Sequence, residues 1–509
     1  MSRALPVAIG ASLLLAASAL MGCSLPRSVL AAPTADAPLA DGGLDASQDD
    51  AGNDAEIGMD GGRDAALTDA GPPDAFANDA GGDAGGDAGT DASRDAYSAP
   101  DAGCTLGATV CRGAEVWGCD PDGATTWRAT CPLGCRDTPA PHCIQLRATH
   151  VTDETLLPSG SMPLVVSSGQ TVQIDSGTGA ITLMPSTVIR APGTSTSSGM
   201  IGFSVQLQSS GPELGIFTFS TIQVRSGGTL IGVGGRALVL LATGDVIIDG
   251  LFDAGARGTV GGPGGFAGGG HRAAGGGPSA GNRGDIQGFF SDLMSGGGGG
   301  GHGGSGGSGG NESSCCATAN GGAGGGVTPD SDAALLIGGS GGGGGADGTN
   351  GGVGGGGGGA IQISSLTTIH VTSSGVVRAP GAGGGHGDQA GGGGGAGGTI
   401  FLEALTIGID NVVAVNGGGG GGGRSGDGAR GTDTGTAATG GGGGSGGGAG
   451  GSGAAGTTMD GTGGGNGDGG GGGGGAGGRI SFVTMSGSRG ATGIITPDPA
   501  DREAAATIR

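Results

Sequence analysis

Three short β patterns with nearly the same internal spacing recur in this chain, at residues 237–254, 360–379 and 399–415, and each is followed by a long glycine tract. In the first, Leu238 and Leu240 alternate with their neighbours, and eight residues later Val246 and Ile248 do the same. The second has Ile361 and Ile363, then Ile369 and Val371, again eight apart; the third has Ile400 and Leu402, then Ile407 and Ile409, seven apart. Period-two alternation makes one face of each strand apolar. A third short strand closes each unit, at Leu251-Phe252, Val376-Val377 and Val412-Val413. Three strands in so few residues cannot bury their apolar faces within one unit, whereas stacking unit on unit makes a continuous core. The expected fold is therefore all-β, a parallel β-helix or solenoid with long glycine-rich insertions; an ordinary β-sandwich is the alternative.

The pattern extends upstream. Ile216 to Phe219, Ile222 with Val224, and Leu230 with Ile231 read as one coil, and Val172 with Ile174, Ile181 with Leu183, and Val188 with Ile189 read as another. The hexapeptide Val188-Ile-Arg-Ala-Pro-Gly193 returns as Val376-Val-Arg-Ala-Pro-Gly381, which points to duplication of a coil end. Downstream, Arg479 to Thr484 and Ile494-Ile495 read as a last, shortened coil, ended by Pro497 and Pro499, which cannot continue a ladder.

Glycine accounts for 138 of 509 residues, so only the β units hold enough Val, Ile and Leu to bury. The tracts at 255–359, 381–398 and 417–478 all leave from the third strand of a unit and return to the first strand of the next. Fixing each glycine backbone costs on the order of 1–2 kcal/mol with no side chain to offset it, so the tracts either stay mobile or hydrogen-bond collectively. In Gly300 to Asn311 the non-glycine residues stand at 302, 305, 308 and 311, a period of three that a polyproline-II-like helix places on one edge. This composition is similar to the glycine-repeat portion of the mycobacterial PE-PGRS proteins, without a match to their N-terminal domain.

The amino terminus has a charged start, Met1 to Arg3, and an apolar run from Ala4 to Leu20, the pattern of a secretory signal (1–22). It ends in Leu20-Met-Gly-Cys23, which resembles the bacterial lipobox. That resemblance implies a diacylglycerol-modified Cys23, and Ser24 after it implies outer-membrane localisation. Residues 23–103 then form the anchor and an acidic tether. From Pro33 to Gly103 sixteen Asp and one Glu stand against two Arg, a net of −15 out of −23 for the chain. Such a segment is expected to be solvated and extended. Loose polyanionic binding of Ca²⁺ is the alternative to a plain spacer.

Residues 104–143 carry Cys104, Cys111, Cys119, Cys131, Cys135 and Cys143. In an exported chain this reads as three disulfides holding a module too small for its own core, with the pairing left open. Trp117 and Trp127 are expected to pack against the bridges. The module resembles cysteine-rich units that follow acidic linkers in deltaproteobacterial surface lipoproteins. A zinc site is the competing reading, but the cysteine spacing is irregular and no metal is expected. Cys315-Cys316, inside the first glycine tract, are further disulfide candidates.

Candidate chemistry is sparse. Asp245, Asp249 and Asp253 are the clustered acids within a coil, the minimum a polysaccharide-active β-helix enzyme would need, and they are expected at solvent-facing corners. Gly301-His-Gly303 and Gly385-His-Gly387 lie in glycine tracts without paired aspartates. No catalytic residue and no cofactor is expected, and the negative charge argues against nucleic acid. As a whole the chain resembles glycine-rich deltaproteobacterial lipoproteins. The resemblance implies a non-catalytic structural or adhesive protein, lipid-anchored at the outer membrane and exposed on the cell surface, with envelope or extracellular polysaccharide as partner. The alternatives are the enzyme just described and a glycan-binding protein acting through Trp117 and Trp127.

Overall fold

The computed structural model describes residues 108–119, 125–131, 134–138, 140–195, 199–287, 293–313, 317–329, 334–347, 349–485, 489–498 and 503–505. The chain divides into two units, Met1–Ser93 and Arg94–Arg509, and all described residues belong to the second. The signal segment, Cys23, the acidic tether to Gly103, Cys104, Cys315 and Cys316 lie outside the described residues.

Apart from a three-residue 3₁₀ turn at Leu157–Ser159, every regular element described is a β-strand, and most pairs are parallel. Three sheets take one strand each from every unit, in the same order. The seven-stranded sheet contains Leu214–Phe219, Ala237–Ala242, Ala360–Ser365, Thr399–Ala404 and Arg479–Thr484 as parallel neighbours. The six-stranded sheet runs Leu164–Val166, Ile222–Val224, Val246–Ile248, Thr368–Val371, Thr406–Ile409 and Gly490–Ala491. The eight-stranded sheet runs Thr171–Asp175, Thr229–Val233, Leu251–Asp253, Val376–Arg378, Val412–Ala414 and Ile494–Thr496 before its antiparallel end.

Alternation in the sequence becomes side-chain ladders in the sheets. Phe217, Leu240, Ile363, Leu402 and Phe482 stack through in-register pairs in the first sheet. Ile222, Val246, Ile369 and Ile407 do so in the second, and Leu230, Phe252, Val377 and Val413 in the third. All of these belong to one buried apolar cluster. Full burial of such a side chain is worth roughly 1.5–3 kcal/mol. The first sheet is buried on its other face as well: Val239, Leu241, Ala360 and Phe401 pack with Leu146, Val151, Leu156, Leu157 and Leu336. That second cover explains why its strands, such as Ala237–Ala242, are apolar nearly throughout.

Two upstream expectations are corrected. Val172 and Ile174 sit in the third strand of a unit, paired with Thr229–Val233, and not in a first strand. Ile181–Leu183 and Thr187–Arg190 fold back antiparallel on the edge of that sheet. Val188 is therefore 60% exposed on an edge strand, whereas Val376 lies in a central parallel strand, so the repeated hexapeptide does not mark equivalent coil ends. At the other end Glu503–Ala505 adds one more parallel strand to Arg479–Thr484, beyond Pro497, which follows the last strand of the third sheet.

The described parts of the glycine tracts are packed and share one hydrogen-bonded array. Consecutive N–H groups donate in three directions, repeating every third residue. Gly296 and Gly299 donate to Gly310 and Gly307, Gly297 and Gly300 to Gly391 and Gly394, and Gly298 and Gly301 to Asn282 and Ser279, all at 2.8–3.0 Å. A three-residue turn is the period of polyproline II. The three tracts interlock: Gly391 and Gly394 donate to Gly470 and Gly473, and Gly473 and Ala476 donate back to Gly297 and Gly300. Carbonyls of neighbouring segments occupy the space where side chains would begin; a Cβ on Gly394 would fall within the radius of the Gly418 carbonyl oxygen. The expected edge at 305, 308 and 311 is used by the backbone, whose carbonyls at Ser305, Ser308 and Asn311 accept from Gly461, Gly464 and Gly467. His302, the first member of that series, is instead buried and bonds Thr399 Oγ1 at 2.8 Å.

The cysteine-rich segment forms an antiparallel sheet of Thr109–Arg112, Glu115–Cys119 and Thr125–Thr130. Cys111 bonds Cys135 and Cys131 bonds Cys143, which removes most of the open pairings, and Cys119 is also disulfide-bonded.

Candidate functional site

The three acids of the first repeated unit do not converge. Asp245 follows the first strand of its unit, Asp249 follows the second, and Asp253 ends the third. Asp245 accepts the Thr367 hydroxyl at 2.6 Å. Asp249 accepts the hydroxyls of Ser374 and Thr372 from the next unit and the Ser226 N–H from the previous one, and these bonds, Ser374 first, hold its carboxyl below the usual range. Both act as corner ties between successive units.

Asp253 corrects the expectation of a solvent-facing corner: its side chain is only 7% exposed. Strand-end position would normally expose it, but the glycine array covers this side of the third sheet. Three arginines from three places in the chain surround it. Arg430 forks onto both carboxylate oxygens, at 2.7 and 3.0 Å, Arg378 approaches Oδ2 at 3.2 Å, and Arg257 stands 4.0 Å away. Arg378 also binds Asp433 at 3.0 Å, and the Gly255 N–H donates to Asp253 Oδ1 at 2.9 Å. Burial alone would push the carboxyl up. The Arg430 fork and charge, the Gly255 N–H and the Arg378 charge outweigh it and hold the group at about 2. A carboxyl so firmly ionised is an ion-pair anchor between a strand and the third tract. It cannot carry a proton as a general acid near neutrality.

The glycine-flanked histidines are separate. His302 is buried against Thr399, and half-exposed His386 bonds Asp427 Oδ1 through Nδ1 at 2.6 Å. Among the described residues no group of three His, Cys, Asp or Glu side chains forms a ligand set. Trp117 donates its indole N–H to Glu115 at 2.9 Å, and the guanidiniums of Arg112 and Arg128 lie 5.2 and 5.8 Å from its ring centroid. Its ring is thus flanked by cations of its own module. The Trp127 side chain lies outside the described residues.

A second buried carboxyl escaped sequence reasoning. Glu403, fully buried on the outer face of the first sheet, accepts the Thr149 hydroxyl at 2.8 Å, the Thr149 N–H at 3.0 Å and the Ser364 hydroxyl at 3.1 Å. Gln362 joins Ser364 at 2.9 Å and His150 at 2.8 Å. Burial pushes this carboxyl up, and the hydrogen bonds only partly counter it. The one available signal was a lone acid inside an otherwise apolar strand, Thr399–Ala404.

No family model, no curated protein and no solved structure matches the chain.

Proposed function

We propose that the chain is a surface-anchored structural or adhesive lipoprotein: acyl anchor at Cys23, acidic tether, disulfide-held module, then a β-solenoid carrying a packed glycine array. The solenoid reading is supported by strand order. Five successive units contribute one strand to each of three sheets, always in the same sequence, and each strand pairs in parallel with its counterpart in the adjacent unit of the five. The observation that favours a structural role over catalysis is the engagement of the acids: Asp245, Asp249 and Asp253 stand at separate corners, each already tied to groups of other units. A stiff body on a long acidic tether suits display away from a membrane.

Protease shaving of intact cells bearing an epitope tag after Arg509 tests the placement. Loss of the tag from intact cells is the expected result. Survival of the tag until lysis would put the body in the periplasm and end the adhesive reading.

A further inference from the structure

Along residues 381–386 the three-direction rule of the glycine array is broken at one place. Gly381 and Gly384 donate to Asn416 and Gly419, and Ala382 and Gly385 donate to Gly356 and Val353. In the third direction His386 donates its N–H to Asp427 Oδ1 at 2.9 Å. Gly383, three residues earlier on the same edge, has no acceptor for its N–H among the described residues. A cleft of about 380 Å³ opens there, lined by Arg257, Thr259, Val353, Gly383, Asp427 and Arg430. The size lies within the range of small-ligand sites.

We propose that this cleft binds a uronate residue of an acidic polysaccharide, its carboxylate held by Arg257 and the Gly383 N–H. The distribution of the arginines supports an anion. Arg257, Arg378 and Arg430 gather around Asp253 and Asp433, while Asp427 at the rim is engaged by His386, so the guanidinium side of the cleft is the side open to a carboxylate. Arg430 and Arg378 are spent on Asp253 and supply field, whereas Arg257, 45% exposed and 4.0 Å from that carboxylate, keeps its donors for a ligand. Asp427 at the rim opposes a multiply charged phosphate or sulfate but accepts hydroxyl hydrogens, which a uronate presents beside its single carboxylate. No aromatic side chain lines the cleft, so recognition rests on charge and hydrogen bonding and falls with salt.

This inference deepens the adhesive reading by naming the polymer class, and its test is independent of cell placement. The full chain in detergent is titrated with oligogalacturonate, galacturonate, galactose and acetate. Oligogalacturonate and galacturonate are expected to bind and galactose not to. Arg257→Gln should weaken binding at least about tenfold, in line with loss of one charge-assisted hydrogen bond. Arg257→Lys should retain part of it. Thr259→Glu, which keeps Arg257 but adds a negative charge to the cleft, should abolish it. Arg272→Gln with Arg283→Gln, in the separate cleft those two residues line, should change nothing. Failure of galacturonate to bind, unchanged binding in folded Arg257→Gln or Thr259→Glu, acetate binding as tightly as galacturonate, or loss caused by the Arg272/Arg283 pair would each overturn the proposal. If galacturonate fails but the tag is shaved from intact cells, the surface role stands and only the ligand is wrong.

Discussion

The three-sheet stack and the glycine array solve the same problem with opposite means. In the stack, side chains are the core: Phe217, Leu240, Ile363, Leu402 and Phe482 fill it, and the backbone hydrogen bonds run along the sheets. In the array the backbone is the core. Most N–H groups meet a neighbouring segment, and the absence of Cβ lets Gly297, Gly391 and Gly473 approach closely enough to bond one another's segments. A net gain of about 1 kcal/mol per hydrogen bond, with Cα–H···O contacts of about 0.5–1 kcal/mol, offsets roughly 1–2 kcal/mol of ordering per residue. The stack fails when atoms are removed. The array should fail when atoms are added.

The largest effect is therefore expected at a central array glycine. Gly394 donates to Gly473 and accepts from Gly300, and its Cβ position is filled by Gly418 backbone. Gly394→Val should destabilise by more than about 3 kcal/mol, because the obstacle is backbone held by other bonds and not a movable side chain. Leu240→Ala, the converse experiment, should cost about 3 kcal/mol through the cavity it leaves. Urea titration followed by circular dichroism measures both. If Gly394→Val proved milder than Leu240→Ala, the array would be loosely held and the contrast would fail. Hydrogen exchange sharpens it further: amides of 296–300, 391–397 and 470–476 should exchange as slowly as those of Ala360–Ser365.

Next in size is Asp253, which joins the two regions. Asp253→Asn removes the charge that three arginines share and should cost about 3 kcal/mol. Its pH signature has a fixed sign. The folded carboxyl sits at about 2 against 3.8 in the unfolded chain, so its contribution is complete above 3.8 and is lost as pH falls toward 2. Thermal melts from pH 5 to pH 2 should show wild type losing roughly 2 kcal/mol that the variant has already lost. Parallel curves would mean that the ion-pair cluster contributes nothing to acid sensitivity.

How much of this was legible in the sequence follows from what carries the information. Strands at Ala237–Ala242, Val246–Ile248 and Leu251–Asp253, and their partners in later units, announce themselves because apolar side chains alternate at fixed spacing. The array does not, since a glycine N–H carries no mark of its acceptor; only the period at 302, 305, 308 and 311 betrayed the helix type. Alternation fixes a strand's face, not its direction, so the antiparallel return of Ile181 and Val188 leaves no mark in the pattern. Asp253 looked exposed because a strand end gives no sign that a tract 177 residues later will return an arginine to it. The cover on Glu403 comes from Thr149, 254 residues earlier, which no local pattern encodes.

Glu403 yields the smallest effect and the opposite sign from Asp253. Both carboxyls are buried, but Asp253 meets guanidiniums whereas Glu403 meets hydroxyls, an amide and a backbone N–H. Its folded value is raised above the usual 4.5 by burial. Below 4.5 both folded and unfolded chains hold the proton, and the network is satisfied. As pH rises past 4.5 the unfolded chain releases its proton first, so stability declines until pH passes the folded value. Glu403→Gln keeps the acceptor for Thr149 and cannot ionise. It should match wild type near pH 4 and become progressively the more stable of the two as pH rises, read as diverging melting temperatures between pH 4 and pH 8. Curves that stay superimposed would show that Glu403 is solvated or paired in the folded protein, and that the outer face of the first sheet is less tightly closed by residues 146–157 than the array is by its own backbone.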